Sequence, residues 1–240
     1  MNRFFLKDDK DILSDSIKID AYDLNHMKNV LRFKDKERFL IISDYIEYLC
    51  EYDEENPKFA KIVSKRELEQ ERGSIKLFFN VLKNNNTELI IQKCTELGVS
   101  EFYPVISKRS VVKMTKNDEK KIMRWQKIAE SAAKQSEQIR IPIVHNIIEI
   151  SDIYKFLDRD SKLIVPYEEA KTNHIKDCLK ELNSDNISIL IGPEGGFEIK
   201  EIDQLKSQGA IIVTLGENIL RAETAAIVSS WEAYNAIKKS

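Results

Sequence analysis

No apolar run in this chain of 240 residues approaches the roughly 20 residues that a helix needs to cross a bilayer, so no membrane partner is expected. The amino-terminal stretch MNRFFLKDDKD turns acidic at once and does not read as a signal peptide. Cysteine is scarce: Cys50, Cys94 and Cys178 are odd in number, far apart and in no C-x-x-C pair. They read as reduced thiols of a cytoplasmic protein, with neither a disulfide nor a metal site expected. There is no large excess of one charge either. The formal net charge is −2, so any contact with a nucleic acid must come from a local patch. No internal repeat is present. The remaining composition is that of an ordinary globular chain, long enough for one large domain or two small ones with real cores.

Glycine is also scarce, and where it falls is informative. Three of the seven glycines lie within Gly192–Gly196. They follow a short β-branched run, Ile187–Ile191, and a second such run, Ile211–Leu215, also ends in a glycine, Gly216. Runs of this kind, uninterrupted by charge, read as parallel strands buried on both faces. Open α/β sheets bind ligands beyond the carboxyl ends of such strands, and glycine there lets backbone N–H groups approach a ligand closely. The loop Gly192-Pro193-Glu194-Gly195-Gly196 is neither G-x-G-x-x-G nor a loop ending in G-K-[ST], and Glu194 would repel a pyrophosphate. A neutral or cationic small molecule suits it better, and a nicotinamide-dependent oxidoreductase is disfavoured.

Two textures divide the chain. Residues 1–72 carry one short helix signal, Ala21–Leu31 behind a possible Asp20 cap. Three partly alternating segments follow: Arg38–Ser43, Tyr45–Tyr52 and Lys58–Lys65. That is the pattern of a small β-barrel or sandwich. A polar linker ending in Gly73-Ser74 closes it. From 73 to 240 strands alternate with helices: strands at Ile75–Leu82, Glu101–Ser107, Lys162–Pro166, Ile187–Ile191 and Ile211–Leu215. Helices are expected at Asn86–Leu97, Glu119–Ser136, Asp152–Leu157, His174–Leu182, Ile199–Gln208 and from about Ala222 onward. The alternation predicts an α/β domain with a parallel sheet covered on both faces. Connectivity rules alone would draw it as an ordinary doubly wound sheet.

Between Ser107 and Arg140 lie ten lysines and arginines (108, 109, 113, 116, 120, 121, 124, 127, 134 and 140) against four acids, a local excess of six in a chain of net −2. A phosphate backbone is one partner for such an excess; a solvated helix face is the other reading.

GPEGGF followed by LGENILRAETA resembles the paired signature of the RsmE-type 16S ribosomal RNA uridine N3-methyltransferases, S-adenosylmethionine-dependent enzymes of the SPOUT superfamily. Every fixed position of the second motif is matched from Leu215 to Ala225. The likeness extends through Gln92–Val99, Arg109-Ser110-Val111-Val112, Arg3-Phe4-Phe5 and Val30-Leu31-Arg32, and so covers essentially the whole chain. It departs from the family at Lys34-Asp35-Lys36, where a Gly-Asp turn is usual, and at Glu137-Gln138, where Gly-Arg is usual.

The resemblance implies an N-terminal PUA-like β-barrel that holds RNA, and a SPOUT domain whose last third threads into a trefoil knot. It implies a homodimer, S-adenosyl-L-methionine as cofactor and the small ribosomal subunit as partner. The reaction implied is methylation of N3 of a uridine near the decoding site, in the assembled small subunit. Loops Pro166–Glu168, Gly192–Gly196 and Leu215–Ala225 would surround the cofactor. Backbone groups of Ile191, Gly192, Gly196 and Leu215 would hold adenine and ribose, and Leu190, Ile219 and Leu220 would form apolar walls. Pro166, Pro193, Glu194, Gly195, Gly216, Thr224 and Ala225 complete the implied cofactor set. RNA contacts are implied at Arg3, Arg32, Arg109, Lys113 and Arg140. His26 reads as a packed or capping histidine in preference to an RNA contact.

Uridine N3–H must lose its proton as nitrogen attacks the methyl carbon, while negative charge grows on the uracil oxygens. Arg221, always charged and able to donate in a fork, suits that last task. Glu223 and Glu194 are the carboxylates to consider as proton acceptor or as partner of the sulfonium. For Glu223 a role at the start of the last helix, where a carboxylate satisfies free N–H groups, is the favoured reading. Two other readings remain open at this point: a ribose 2′-O- or tRNA methyltransferase, and a non-catalytic RNA-binding factor. A cofactor-binding measurement separates the binder from the enzymes.

Overall fold

The computed structural model describes all residues except Glu71, Met114, Lys116, Asn117, Asn183 and Ser240, and the side chain of Lys239. The chain forms two compact units. The first comprises Met1–Gln70 together with Ala133–Ile141; the second comprises Glu71–Ala132 and Pro142–Ser240. A division at 72/73 was expected from the linker. The return of residues 133–141 to the first unit was not legible in that linker.

The first unit is built on β1 (Arg3–Phe5), β2 (Ser16–Lys18), β3 (Arg38–Ser43), β4 (Ile46–Glu51) and β5 (Phe59–Glu67). They pair in the order β1-β3-β4-β5-β2, with β1–β3 parallel and the other pairs antiparallel. β1 and β2, three residues each, are too short to have shown a period in the sequence. The helix α1 (Ala21–Asn25) begins where Asp20 Oδ1 accepts from Asp23 N at 2.8 Å, and continues as a π-helical segment, His26–Leu31. Its core gathers Phe4, Ile17, Met27, Phe33, Phe39 and Tyr48. The His26 ring packs edge-on against Phe4, with centroids 6.4 Å apart. Ala133 and Ile141 join this unit by packing with Phe5, Ile42 and Leu68, and Lys134 Nζ lies 2.9 Å from Asp23 Oδ1.

The second unit contains β6 (Ser74–Asn80), α2 (Asn86–Glu96), β7 (Glu101–Ile106), most of α3 (Asp118–Gln135), β8 (Ile143–Val144), β9 (Ile148–Glu149), β10 (Lys162–Pro166), α4 (Ile175–Glu181), β11 (Asn186–Ile191), α5 (Ile199–Ser207), β12 (Ile211–Val213) and α6 (Ala222–Lys239). Its strands run parallel in the order β12-β10-β11-β6-β7-β8, with β9 also on β7. Residues of β6 and β11 alternate between two cores. Leu77, Phe79, Ile189 and Ile191 face one, and Phe78 and Leu190 the other. That is why both runs read as continuous apolar stretches. Each fully buried Phe or Ile in them contributes about 1.5–3 kcal/mol relative to exposure. Gly98 (φ +82°) and Gly209 (φ +92°) end α2 and α5, left-handed positions that glycine takes without penalty. The central strands β11 and β6 therefore point their carboxyl ends the same way, and three loops converge there.

Candidate active site

A cavity of about 590 Å³ opens where β10, β11 and β12 end. Pro166–Glu168 after β10, Ile191–Phe197 after β11 and Thr214–Glu223 after β12 form its wall, with Asn86 and Ala225 added from α2 and α6. Each loop is held by its own bonds. Tyr167 N donates to Val213 O at 3.0 Å, tying the β10 and β12 loops together. Gly196 N donates to Pro193 O at 2.9 Å, closing a turn within the glycine loop. Thr214 Oγ1 donates to Gly216 O at 3.1 Å, and Gly216 N donates back at 3.2 Å.

The glycines have specific reasons to be there. Gly196 sits at φ +66°, and a Cβ on it would collide with Glu168 Oε1. A Cβ on Gly192 would come within 2.9 Å of the Phe197 ring. Gly216, at φ +132°, is conformationally demanding although the space around it is open.

The electrostatics of the wall are one-sided. Glu168, Glu194, Glu217 and Glu223 line it, and Arg221 is the single cation in the lining. Burial, followed by the nearby Glu169 and Glu168 carboxylates, pushes the Tyr167 phenol up. Glu194 Oε1 accepts from Lys83 N at 3.2 Å. Glu223 is half-buried and Arg221 exposed. The structure gives neither side chain a hydrogen bond or ion pair among the described residues, so both are free to meet a ligand.

Most residues marked for the cofactor meet here: Pro166, Ile191, Gly192, Pro193, Glu194, Gly195, Gly196, Leu215, Gly216, Ile219, Leu220 and Ala225 all line the cavity, with Arg221 and Glu223 beside them. Two do not. Leu190 is fully buried on the opposite face of β11, in the core with Phe78 and Phe197. Strand alternation sends Ile191 toward the cavity side and Leu190 away from it. Thr224 is exposed on α6 and outside the lining. Asn86, Phe197 and Thr214 line the cavity without having been marked. Asn86 is distant in sequence, while the other two merely flank the marked loops.

Comparison with known proteins bears on this site. A family model described as an RNA methyltransferase domain matches residues 69–231, and one described as an RNA methyltransferase PUA domain matches residues 19–63. The ribosomal RNA small subunit methyltransferase E of Mesomycoplasma hyopneumoniae (strain 232) is 36% identical over 206 residues, covering 85% of this chain and 87% of that one. This chain belongs to the ribosomal RNA small subunit methyltransferase E family. Its Bacillus subtilis (strain 168) relative of the same name is 31% identical over 237 residues, 94% of this chain and 93% of that protein. The crystal structure of a methyltransferase E from Neisseria gonorrhoeae, bound to S-adenosyl methionine, is 28% identical with a TM-score of 0.81, covering 96% of this chain and 95% of that one.

The residues marked for RNA in this methyltransferase E chain are placed unevenly. Arg32 and Lys113 are exposed, and Arg140 is half-buried. Arg109 is exposed and donates through Nη1 to Gly195 O at 3.1 Å, which sets it beside the glycine loop. Arg3 is different. Its side chain is 10% exposed, with Nη2 3.3 Å from Glu47 Oε2 and Nη1 donating to the carbonyls of Glu137 (2.5 Å) and Gln138 (3.1 Å). Those bonds fasten the 133–141 segment, so its guanidinium is occupied by the fold. Within the basic stretch, Lys121 and Arg124 are paired with Asp118 and Glu88, each at 2.8 Å, whereas Lys113, Lys120 and Lys127 are exposed. Lys116 lies outside the described residues. Among the described residues no cluster of His, Cys, Asp and Glu could hold a metal ion, and no helix is long and apolar enough to cross a membrane.

Proposed function

We propose that this protein is an S-adenosylmethionine-dependent methyltransferase of small-subunit 16S ribosomal RNA, acting on N3 of a uridine near the decoding site in the assembled subunit. One observation carries the reading: a cavity at the carboxyl edge of a parallel sheet whose wall has four carboxylates, one guanidinium and close-packed glycines, in a chain of this family.

The cavity fits the cofactor on its own chemistry. S-adenosylmethionine carries a positive sulfonium, which an acidic wall favours over a nucleotide phosphate. The tight glycine turns leave backbone N–H and C=O groups of the loops accessible to adenine and ribose. Ile191, Gly192, Gly196 and Leu215 would hold those groups, with Ile219 and Leu220 as apolar contacts. When bound, the cofactor supplies an electrophilic methyl group.

The rest falls to the chain's own side chains. Arg221, the cation at the cavity rim, faces the developing negative charge on the uracil oxygens, where a fixed donor lowers the barrier. Glu223 has no side-chain partner among the described residues and accepts the N3 proton. Arg32, Arg109, Lys113 and Arg140 form the proposed phosphate-contacting set, from which Arg3 is left out because the fold has engaged it.

Three architectural features belong to the same reading: closure of the N-terminal sheet into a PUA-like barrel, a trefoil knot in the SPOUT domain, and a homodimer. The knot draws support from β12 lying outside β10 while residues 212–214 bond to the 167–175 loop, through Asn173 O to Thr214 N at 3.1 Å and Thr214 O to Ile175 N at 3.1 Å. The dimer would cover Ile219, 81% exposed at the cavity rim, and Trp231, 49% exposed on α6. Such an enzyme works in the cytoplasm.

The test is to incubate the purified protein with labelled S-adenosylmethionine and undermethylated small subunits and map the label. N3-methyluridine in the decoding region is the expected product. Label on a ribose hydroxyl or in tRNA would discard the N3 assignment, and no cofactor binding would favour a non-catalytic RNA-binding role.

A further inference from the structure

Asn80 is the last residue of β6 and is fully buried. β6 lies between β11 and β7, in register with Ile191 opposite Phe79 and Val105 opposite Asn80. A buried amide must find partners for all its polar atoms or cost stability, and this one finds them on β11 and in the turn that follows β7. Its Nδ2 donates to Ile191 O at 3.2 Å. That carbonyl is the last of β11, immediately before Gly192 and the cavity. Its Oδ1 accepts from Ser107 Oγ and from Ser110 Oγ, each at 2.6 Å.

The turn carrying those serines continues the bracing. Ser107 N donates to Ser110 Oγ at 2.8 Å. Between the serines, Arg109 reaches Gly195 O in the middle of the glycine loop. Lys108 N donates to the buried Glu201 at 3.1 Å, and Glu201 accepts from Glu198 N at 2.8 Å at the start of α5. The Ser107–Ser110 turn thus reaches the start of the glycine loop through Asn80, the loop itself at Gly195 through Arg109, and the start of α5 beyond it through Glu201. Asn80 is the buried point through which the first of these contacts acts, and it lines no part of the cavity.

We propose that Asn80 is a positioning residue for the methyl donor: it fixes where β11 stops and the glycine loop begins, and so sets the donor's affinity without touching it. The proposal rests on the reading of the cavity as the S-adenosylmethionine site. A side chain that merely filled space would be replaceable at a cost in stability alone. A positioning residue also sets ligand affinity, through a loop whose backbone groups lose their preorganisation when the bond is cut.

Calorimetric titration with S-adenosylhomocysteine tests it, alongside thermal unfolding without ligand. Asn80→Ala should weaken binding about tenfold, the scale of one buried hydrogen bond lost, and should raise the cofactor KM while kcat at saturating cofactor changes little. Asn80→Asp keeps the acceptor for both serines but offers no donor to Ile191 O at neutral pH, and should weaken binding comparably. Val144→Ala, on β8 at the far edge of the sheet, serves as a control for lost stability and should bind normally. If Asn80→Ala fails to fold, Ser110→Ala reads the same network and should weaken binding severalfold. Folded Asn80 variants that bind as tightly as the unaltered protein would overturn the proposal, as would a loss of affinity matched by Val144→Ala at equal loss of stability. An unaltered protein that does not bind S-adenosylhomocysteine would instead overturn the cavity reading, and the role of Asn80 with it.

Discussion

A carboxylate oxygen of Glu168 occupies the space into which a side chain at Gly196 would project, and Gly196 holds φ +66°. Two separate penalties therefore meet at one residue. An L-residue in that conformation costs about 1–2 kcal/mol, and the Cβ must also displace Glu168. Gly196→Ala should accordingly lower thermal stability and weaken S-adenosylhomocysteine binding. Gly195, by contrast, is not at positive φ, and its nearest neighbour to an added Cβ is Arg109 Cβ at 3.6 Å, an ordinary contact. Gly195→Ala should keep the stability of the unaltered protein. Equal unfolding midpoints for the two variants would refute this account.

Arg221 is exposed at the cavity rim and lies in its wall. Arg221→Ala should reduce kcat by about 10²–10³, the usual loss on deleting one donor to a developing anion, with the cofactor dissociation constant changed little. Arg221→Lys should recover only part of the rate, because an ammonium lacks the fork of donors. Turnover by Arg221→Ala equal to that of the unaltered enzyme would remove the residue from the mechanism.

Arg3 stands in the motif-like Arg3-Phe4-Phe5, yet it ties β1 to Glu47 and to the carbonyls of Glu137 and Gln138. Arg3→Ala should cost about 1.5–3 kcal/mol, the range for a hydrogen bond to a charged group. Chemical denaturation reads that cost. The salt dependence of RNA binding should keep its slope, since no phosphate contact is removed; a slope reduced by one would restore Arg3 to the RNA surface.

Glu101 accepts from His145 Nε2 and from Tyr103 Oη, both at 2.7 Å, with Lys76 Nζ 3.7 Å away. The His145 hydrogen bond, with the smaller help of Tyr103 and Lys76, holds the Glu101 carboxyl at about 2 against an ordinary 4.5. A carboxyl depressed in the folded state binds fewer protons there than when unfolded. Its contribution is therefore complete above pH 4.5 and lost as the pH falls toward 2. Glu101→Gln should flatten the acid limb of the stability curve in that window and lower stability at pH 7. Urea midpoints for both proteins between pH 2 and pH 6 check it. Parallel curves would show that Glu101 is not a source of the acid sensitivity.

Much of the second unit was legible because its elements obey local rules. Lys162–Pro166 was expected as a strand with the bounds it has, and the helix expected over Asn86–Leu97 ends as Gly98 required. β8 and β9, two residues each, left no period to read; they exist because β7 offers an unpaired edge. The three cavity loops were legible for a different reason. Their glycines and their position after apolar runs are covalent facts about the chain, and the LGENILRAETA motif added the family.

By itself, then, the sequence determined where the longer strands and helices fall, that a glycine-lined and acidic loop cluster follows the strands of a parallel sheet, and the family. Local backbone preference and strand period are properties of neighbouring residues, so they need no partner from far along the chain. Only the tertiary structure decided which side chains of those elements reach the cavity and which are consumed by the fold. It sent Leu190 into the core and Ile191 to the site, brought Asn86 to the wall, spent Arg3 on Glu47, and drew residues 133–141 back to the first unit. Each of these outcomes depends on which strand face or carboxylate another segment presents, and that is settled only when the segments pack.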